Sequence, residues 1–151
     1  MAELKERLRA DLNAAMRARD QVRMRTLRLA LTSITNEEVA GAAARDLTDD
    51  EIVKVLTREA RKRREAAEAF SAAGRSDQAA AERAEGDVLA GYLPAQLSDD
   101  ELAALVDAAI AETGASDMTG LGQVMKTVTP RIAGRADGVR VAAEVRRRLS
   151  G

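Results

Sequence analysis

Apolar residues recur at spacings of three and four along most of the chain, the period of amphipathic helices. Leu4, Leu8, Leu12 and Met16 form one stripe on a first helix that ends in the charged segment 17–20. Met24, Leu27, Leu31 and Ile34 share a face of a second helix, with Arg25 and Thr32 projecting away from it. In 39–46, Gly41 and the three alanines that follow it suit a turn that folds the next helix back. Thr48 followed by Glu51 has the form of a capping box, and Asp49 and Asp50 place negative charge at the positive end of the dipole. A third helix is therefore expected over 49–73, closed by Gly74. At ~100° per residue, Ile52, Leu56, Ala67 and Phe70 make its inner face. Lys54, Arg58 and Arg61 lie nearly opposite, with Lys62 and Arg64 to either side. Arg63 points at the centre of the apolar face and must snorkel or find a carboxylate. Ser76 is expected to cap a fourth helix running through Ala79, Ala84, Val88 and Leu89 to Tyr92.

The stretch 91–98, Gly-Tyr-Leu-Pro-Ala-Gln-Leu-Ser, stops that helix and starts another. Pro94 lacks a backbone N–H and disfavours helix at Leu93, while Ser98 and Glu101 form a second capping box. Tyr92, Leu93, Pro94 and Leu97 are the expected hinge residues, the apolar ones pinning a rigid joint between a domain over 1–94 and a domain over 95–151. Beyond it, Leu102, Leu105, Val106 and Ile110 make a helix stopped at Gly114. Asp117 or Thr119 opens the next, with Leu121, Val124, Met125 and Val128 inside and Pro130 forcing a kink or an early end. The turn 134–138 precedes a last helix that Asp137 can cap. Its residues Val141, Ala142, Val145 and Leu149 face inward, and Arg140 and Arg147 share an outer face. The expected fold class is all-α, about four helices in the N-terminal domain and three in the C-terminal one.

Composition agrees with helices packed through small side chains: of 151 residues, 46% are hydrophobic, 32% charged and 1% aromatic, with two prolines. A chain of this length can bury roughly 70% of its unfolded surface. It has no Cys and no His, which excludes thiol nucleophiles, His acid–base catalysis, Ser-His-Asp triads and zinc sites built on thiolate or imidazole. The uncharged run 88–98 falls short of the ~20 residues of a membrane span, so the expectation is a soluble cytoplasmic protein with no membrane contact. The net charge of −1 conceals a segregation: residues 1–75 carry 16 Lys/Arg against 13 Asp/Glu, 76–130 carry 2 against 10, and 131–151 carry 6 against 2. Such asymmetry suits either an anionic partner at the flanks or complementarity within the chain.

The basic face of the third helix is the first candidate for phosphate contact, because Lys54, Arg58 and Arg61 recur along one stripe with Lys62 beside it. Its competing reading is a solvated face whose cations pair with Glu51, Glu65 and Glu68. The turn 134–138 is the second candidate. Two glycines allow close backbone approach there, Arg135 can meet a phosphate, and Arg140 and Arg147 extend the basic surface. The competing reading is a structural turn with Asp137 occupying the helix N-terminus. The run 146–148 is expected on dipole grounds alone. Phe70 and Tyr92 are the only aromatics and both suit core packing, so any nucleic-acid contact should use shape and phosphates of structured RNA rather than base stacking. Asp99, Asp100 and Glu101 fit first-turn dipole compensation better than a metal site, and the glycines at 120 and 122 lack the Lys and Ser/Thr of a phosphate loop. No metal and no cofactor is expected.

Five strings, in order, resemble one family: Arg25-Thr-Leu-Arg-Leu-Ala-Leu-Thr-Ser-Ile34, the run 59–70 with Ala73-Gly-Arg75, Tyr92-Leu-Pro-Ala-Gln-Leu-Ser98, Gly122-Gln-Val-Met125 and Gly134-Arg-Ala-Asp-Gly138. Together they span nearly the whole chain and are similar to the GatB/YqeY family, its YqeY-like members in particular. The resemblance implies an N-terminal helical domain and a smaller three-helix domain joined at the Tyr-Leu-Pro string. It further implies kinship with the C-terminal, tRNA-contacting part of the B subunit of the tRNA-dependent amidotransferase. In that enzyme the amidase and phosphorylating sites lie elsewhere, so the expectation here is a tRNA-binding accessory module without catalysis of its own. A carbon–nitrogen ligase activity with glutamine as amido donor would attach to it only by inheritance from that subunit. A helical adaptor that binds a protein partner in translation is the alternative.

Overall fold

The computed structural model describes residues 2–151, and among these the chain is all-helical, with no strand. Its elements are α1 (Glu3–Ala18), α2 (Gln21–Glu38), α3 (Asp49–Ala72), α4 (Ser76–Ala90), α5 (Asp99–Thr113), a 3-10 turn (Met118–Gly120), α6 (Leu121–Ile132) and α7 (Gly138–Ser150). The chain divides into two compact units, Met1–Leu93 and Pro94–Gly151.

In the first unit, α1 reverses into α2 through a two-residue corner. Arg19 takes the left-handed conformation (φ 58°) that ends α1, and Asp20 caps α2 by accepting from the Arg23 amide at 3.1 Å. The box at Thr48 forms in full, the hydroxyl accepting from the Glu51 amide and the Glu51 carboxylate from the Thr48 amide. Leu8, Leu27, Ile34, Ile52 and Leu56 are fully buried, with Ala30, Leu47, Val55 and Leu89 completing the core.

Three expectations are corrected here. Met16 is exposed, and Ala15 and Lys5 face inward instead. A strict spacing of four advances ~400° per step, so a four-residue stripe drifts by ~120°, and its far end at Met16 leaves the buried face while Leu4 still packs on the core. Lys5 is tolerated inside because its Nζ donates to Glu38 Oε1 at 2.6 Å, and Glu38 Oε2 accepts from the Leu47 amide at 3.2 Å. Ser76 does not cap α4. The Gly74 (φ 75°) turn closes α3 with the Arg75 amide on the Phe70 carbonyl at 2.8 Å, which makes Arg75 the residue preceding α4, with no side-chain cap. The helix also ends at Ala90, and Tyr92 sits in the turn beyond it.

In the second unit, Ser98 and Glu101 form the second complete capping box and Gly114 (φ 70°) ends α5. Asp117 caps the 3-10 turn rather than α6, which begins at Leu121. Pro130 lies inside α6, two residues before its end. Ala133 and Gly134 are both left-handed (φ 50° and 78°), which turns the chain sharply into Asp137, the cap of α7. Leu97, Leu102, Val106, Val124, Val128, Val141, Val145 and Leu149 fill the core between the three helices.

Candidate nucleic-acid interface

The stripe on α3 is solvent-facing at Lys54, Arg58 and Lys62 and half-buried at Arg61. Most of its charge is answered locally. Arg58 stands 3.5 Å from Glu37 of α2, Arg61 3.9 Å from Glu65, and Lys62 donates to Glu59 at 3.2 Å. Glu51 does not serve the stripe as expected. Its carboxylate takes two bonds from Arg45, at 2.9 and 2.5 Å, and these with the cap bond hold its pKa down at about 2. Lys54 makes no ion pair among the described residues.

On the opposite side of α3, Arg63 finds the carboxylates that its position on the apolar face requires. It lies 3.6 Å from Glu59, 3.4 Å from Glu82 and 3.2 Å from Glu85. Glu85, itself buried, also takes a bond from Arg25 Nε at 2.7 Å, and Glu59 accepts from the Ser33 hydroxyl at 3.0 Å. Arg25 thus turns towards α4 instead of away from its neighbours. The reading of α2 by its apolar face alone missed this, although Glu82 and Glu85, one turn apart on an otherwise alanine-rich helix, were the available signal. The crevice among Thr26, Leu29, Ala30, Glu59, Arg63 and Glu85 holds about 10 Å³, no more than one water, so the cluster clamps three helices and has no room for a substrate.

Tyr92 ends the first unit with its hydroxyl donating to Asp11 of α1 at 2.5 Å and the Arg7 guanidinium 4.6 Å above its ring. Burial, then the Asp11 carboxylate, push its pKa up to about 12. Leu93 packs on the same core, Leu97 belongs to the core of the second unit, and the carbonyl of Pro94 accepts from the Gln96 side-chain Nε2 at 2.8 Å.

In the second unit Arg135 is turned inward. Its guanidinium donates to the carbonyls of Ile132 and Arg131 at 3.4 and 3.3 Å, satisfying the end of α6, while its own carbonyl accepts from the Leu97 amide at 2.8 Å. Asp137 accepts from the Val139 amide at 3.1 Å and so occupies the N-terminus of α7. Arg140 pairs with Asp99 at 2.8 Å. Arg147 pairs with Glu144 at 2.7 Å, and with Arg148 it holds that carboxylate at about 2. Arg140 and Arg147 keep their outward positions on α7, each with an acidic partner. Among the described residues no group of three or more acidic side chains is arranged to hold a metal ion, and no helix is long and apolar enough to cross a membrane.

A profile of the family described as Yqey-like protein matches residues 5–149. The chain is also 30% identical over 129 residues to altered inheritance of mitochondria protein 41, mitochondrial, from Clavispora lusitaniae, an alignment covering 83% of this chain and 74% of that protein. An all-helical chain matched by one family profile nearly end to end, over residues 5–149, belongs to the YqeY-like protein family.

Proposed function

We propose that this protein is a non-catalytic tRNA-binding accessory module of translation, related to the tail of the amidotransferase B subunit. The observation that carries the reading is family membership over residues 5–149, together with the kinship to that tail which resemblance to the YqeY-like proteins implies. The chemistry of the side chains is consistent with it. Without Cys, His or a phosphate loop, the chain has no thiol nucleophile, no histidine base to activate a hydroxyl and no phosphate loop for ATP, which leaves a Ser-Lys pair as the one arrangement of nucleophile and base open to it. Its arginines suit phosphate, and with two aromatics in all, stacking is not its means of contact. The same reading treats 1–94 and 95–151 as two modules hinged at Tyr92, Leu93, Pro94 and Leu97, and places the protein in the cytoplasm.

The test is a titration with bulk tRNA at two salt concentrations. Binding that weakens steeply with salt is expected, because neutralised phosphates release counterions. With glutamine, ATP and mischarged tRNA, the protein is expected to release no glutamate above background. Absence of tRNA binding overturns the reading. A second reading, a helical adaptor for a protein partner, is favoured by Met16, Leu29 and Val39, large apolar side chains exposed on the first unit. Salt-insensitive capture of one protein from lysate, with no tRNA binding, would select it.

A further inference from the structure

A second dense run of positive charge lies outside every surface considered so far. Residues 17–28 contain five arginines and one carboxylate, and they fold into the corner where α1 ends and α2 begins. The carboxylate, Asp20, is committed to the cap of α2, with Arg23 3.8 Å away. Arg17, Arg19 and Arg28 are exposed and make no ion pair among the described residues. This contrasts with α3, where three of the four stripe cations face a carboxylate at 3.9 Å or closer.

The helix dipole accounts for Arg17 and Arg19, which lie at the negative end of α1. It works against Arg23 in the first turn of α2, a turn with no acidic residue of its own, and Arg25 and Arg28 follow on the next turns. Repulsion among these groups is a cost that folding alone does not require. A polyanion removes it.

The corner also has shape. Gln21, Met24, Arg25, Arg28 and Leu29 line an open cleft of about 370 Å³. Arg25 is aimed by the buried charge cluster: Glu85 holds its Nε, and the side chain remains 54% exposed. Arg25 and Arg28 are three residues apart on one helix, which sets their Cβ atoms about 5–6 Å from each other. Leu29, 45% exposed, gives the cleft an apolar wall. Two arginines beside an apolar wall match a sugar–phosphate backbone, the phosphates on the guanidiniums and the ribose on the wall.

We infer that the α1–α2 corner is the phosphate-backbone binding site for structured RNA, with Arg25 and Arg28 gripping phosphates across the cleft and Arg17 and Arg19 extending the grip. The inference rests on the proposed tRNA-binding function and moves its surface from α3 to this corner. Arg25 acts at the RNA directly. Glu85 is a positioning residue.

The test compares the wild type, Arg17→Ala/Arg28→Ala and Lys54→Ala/Arg58→Ala in binding to bulk tRNA across a salt series. Arg17 and Arg28 are unpaired among the described residues, so their removal leaves the fold intact, and circular dichroism checks this. The corner variant is expected to bind at least tenfold more weakly, and its salt slope to fall by about 2, one unit for each phosphate that is no longer neutralised. The α3 variant is expected to bind within about twofold of wild type. Wild-type binding with an unaffected corner variant overturns the corner while leaving the tRNA-binding reading standing. No wild-type binding overturns both. Vesicles of phosphatidylglycerol and phosphatidylcholine form a control arm: if the wild type binds them and not tRNA, the patch is a lipid surface and the RNA assignment is wrong.

Discussion

Lys5 and Glu38 show how a single residue can defy the pattern around it. Both are almost completely shielded, and each is tolerable only because the other is present, since an unpaired charge left inside a protein is far costlier than the pair. The Lys5 ammonium, with the Leu47 amide as a second donor, holds the Glu38 carboxyl below its ordinary pKa despite burial. Lys5→Ala is therefore expected to destabilise the first unit by about 3–5 kcal/mol in urea unfolding. Lys5→Met/Glu38→Gln, which keeps the shape and an acceptor for Leu47, should lose much less. Equal losses in the two variants would mean that packing, not charge, sets the cost. Neither residue was legible in the sequence, because period marks which face is buried and assumes that charge stays outside it. Arg63 was legible for the opposite reason: with apolar neighbours on both sides along the face, its charge had to be answered, and Glu59, Glu82 and Glu85 answer it.

At the scale of elements, starts and stops read better than faces. The two capping boxes and the stops at Gly74 and Gly114 were written in short local strings, and local hydrogen bonds fulfil them whatever the tertiary packing. Ser76 failed as a cap because the preceding turn had already fixed the backbone at Arg75. The candidate site was harder to read than the fold. Whether a cation is available depends on carboxylates brought from other helices, as Glu37 is to Arg58, and spacing within the cation's own helix carries no trace of them. The 3-10 turn before α6 offers a test of close packing. A Cβ on Gly120 would stand 2.5 Å from the Ala115 Cβ, whereas one on Gly122, two residues on, meets nothing. Gly120→Ala is expected to cost about 1–3 kcal/mol by overpacking, and Gly122→Ala to stabilise α6 by up to about 1 kcal/mol. Thermal melts of the two variants check both signs, and a stabilised Gly120→Ala would show that the turn can open without loss.

Over the whole molecule the charge answers itself unevenly, and its pH dependence follows from which groups titrate. There is no histidine, so no side chain with an ordinary pKa changes charge between pH 5 and 8, and stability is expected to be flat there. Carboxylates dominate below that range, and both units hold some with lowered pKa values. Glu51, bonded first by Arg45, and Glu144, bonded first by Arg147, are each held at about 2, against 4.5 for a free glutamate. Glu38, Glu101, Glu112 and Asp117 shift in the same direction, the last two chiefly through bonds from Arg131 and Thr119. A carboxyl whose folded pKa lies below its unfolded one binds fewer protons when folded. The stability it contributes is complete above about pH 4.5 and is lost as pH falls towards 2. The melting temperature should hold level from pH 8 to 5 and then drop through that window in both units, more shallowly in Glu144→Gln for the second unit. Most of these pairs are exposed and each contributes little, so the drop is gradual and salt flattens it. A transition centred near pH 6 to 7 would contradict the assignment, since it would require a carboxyl raised by burial without a partner.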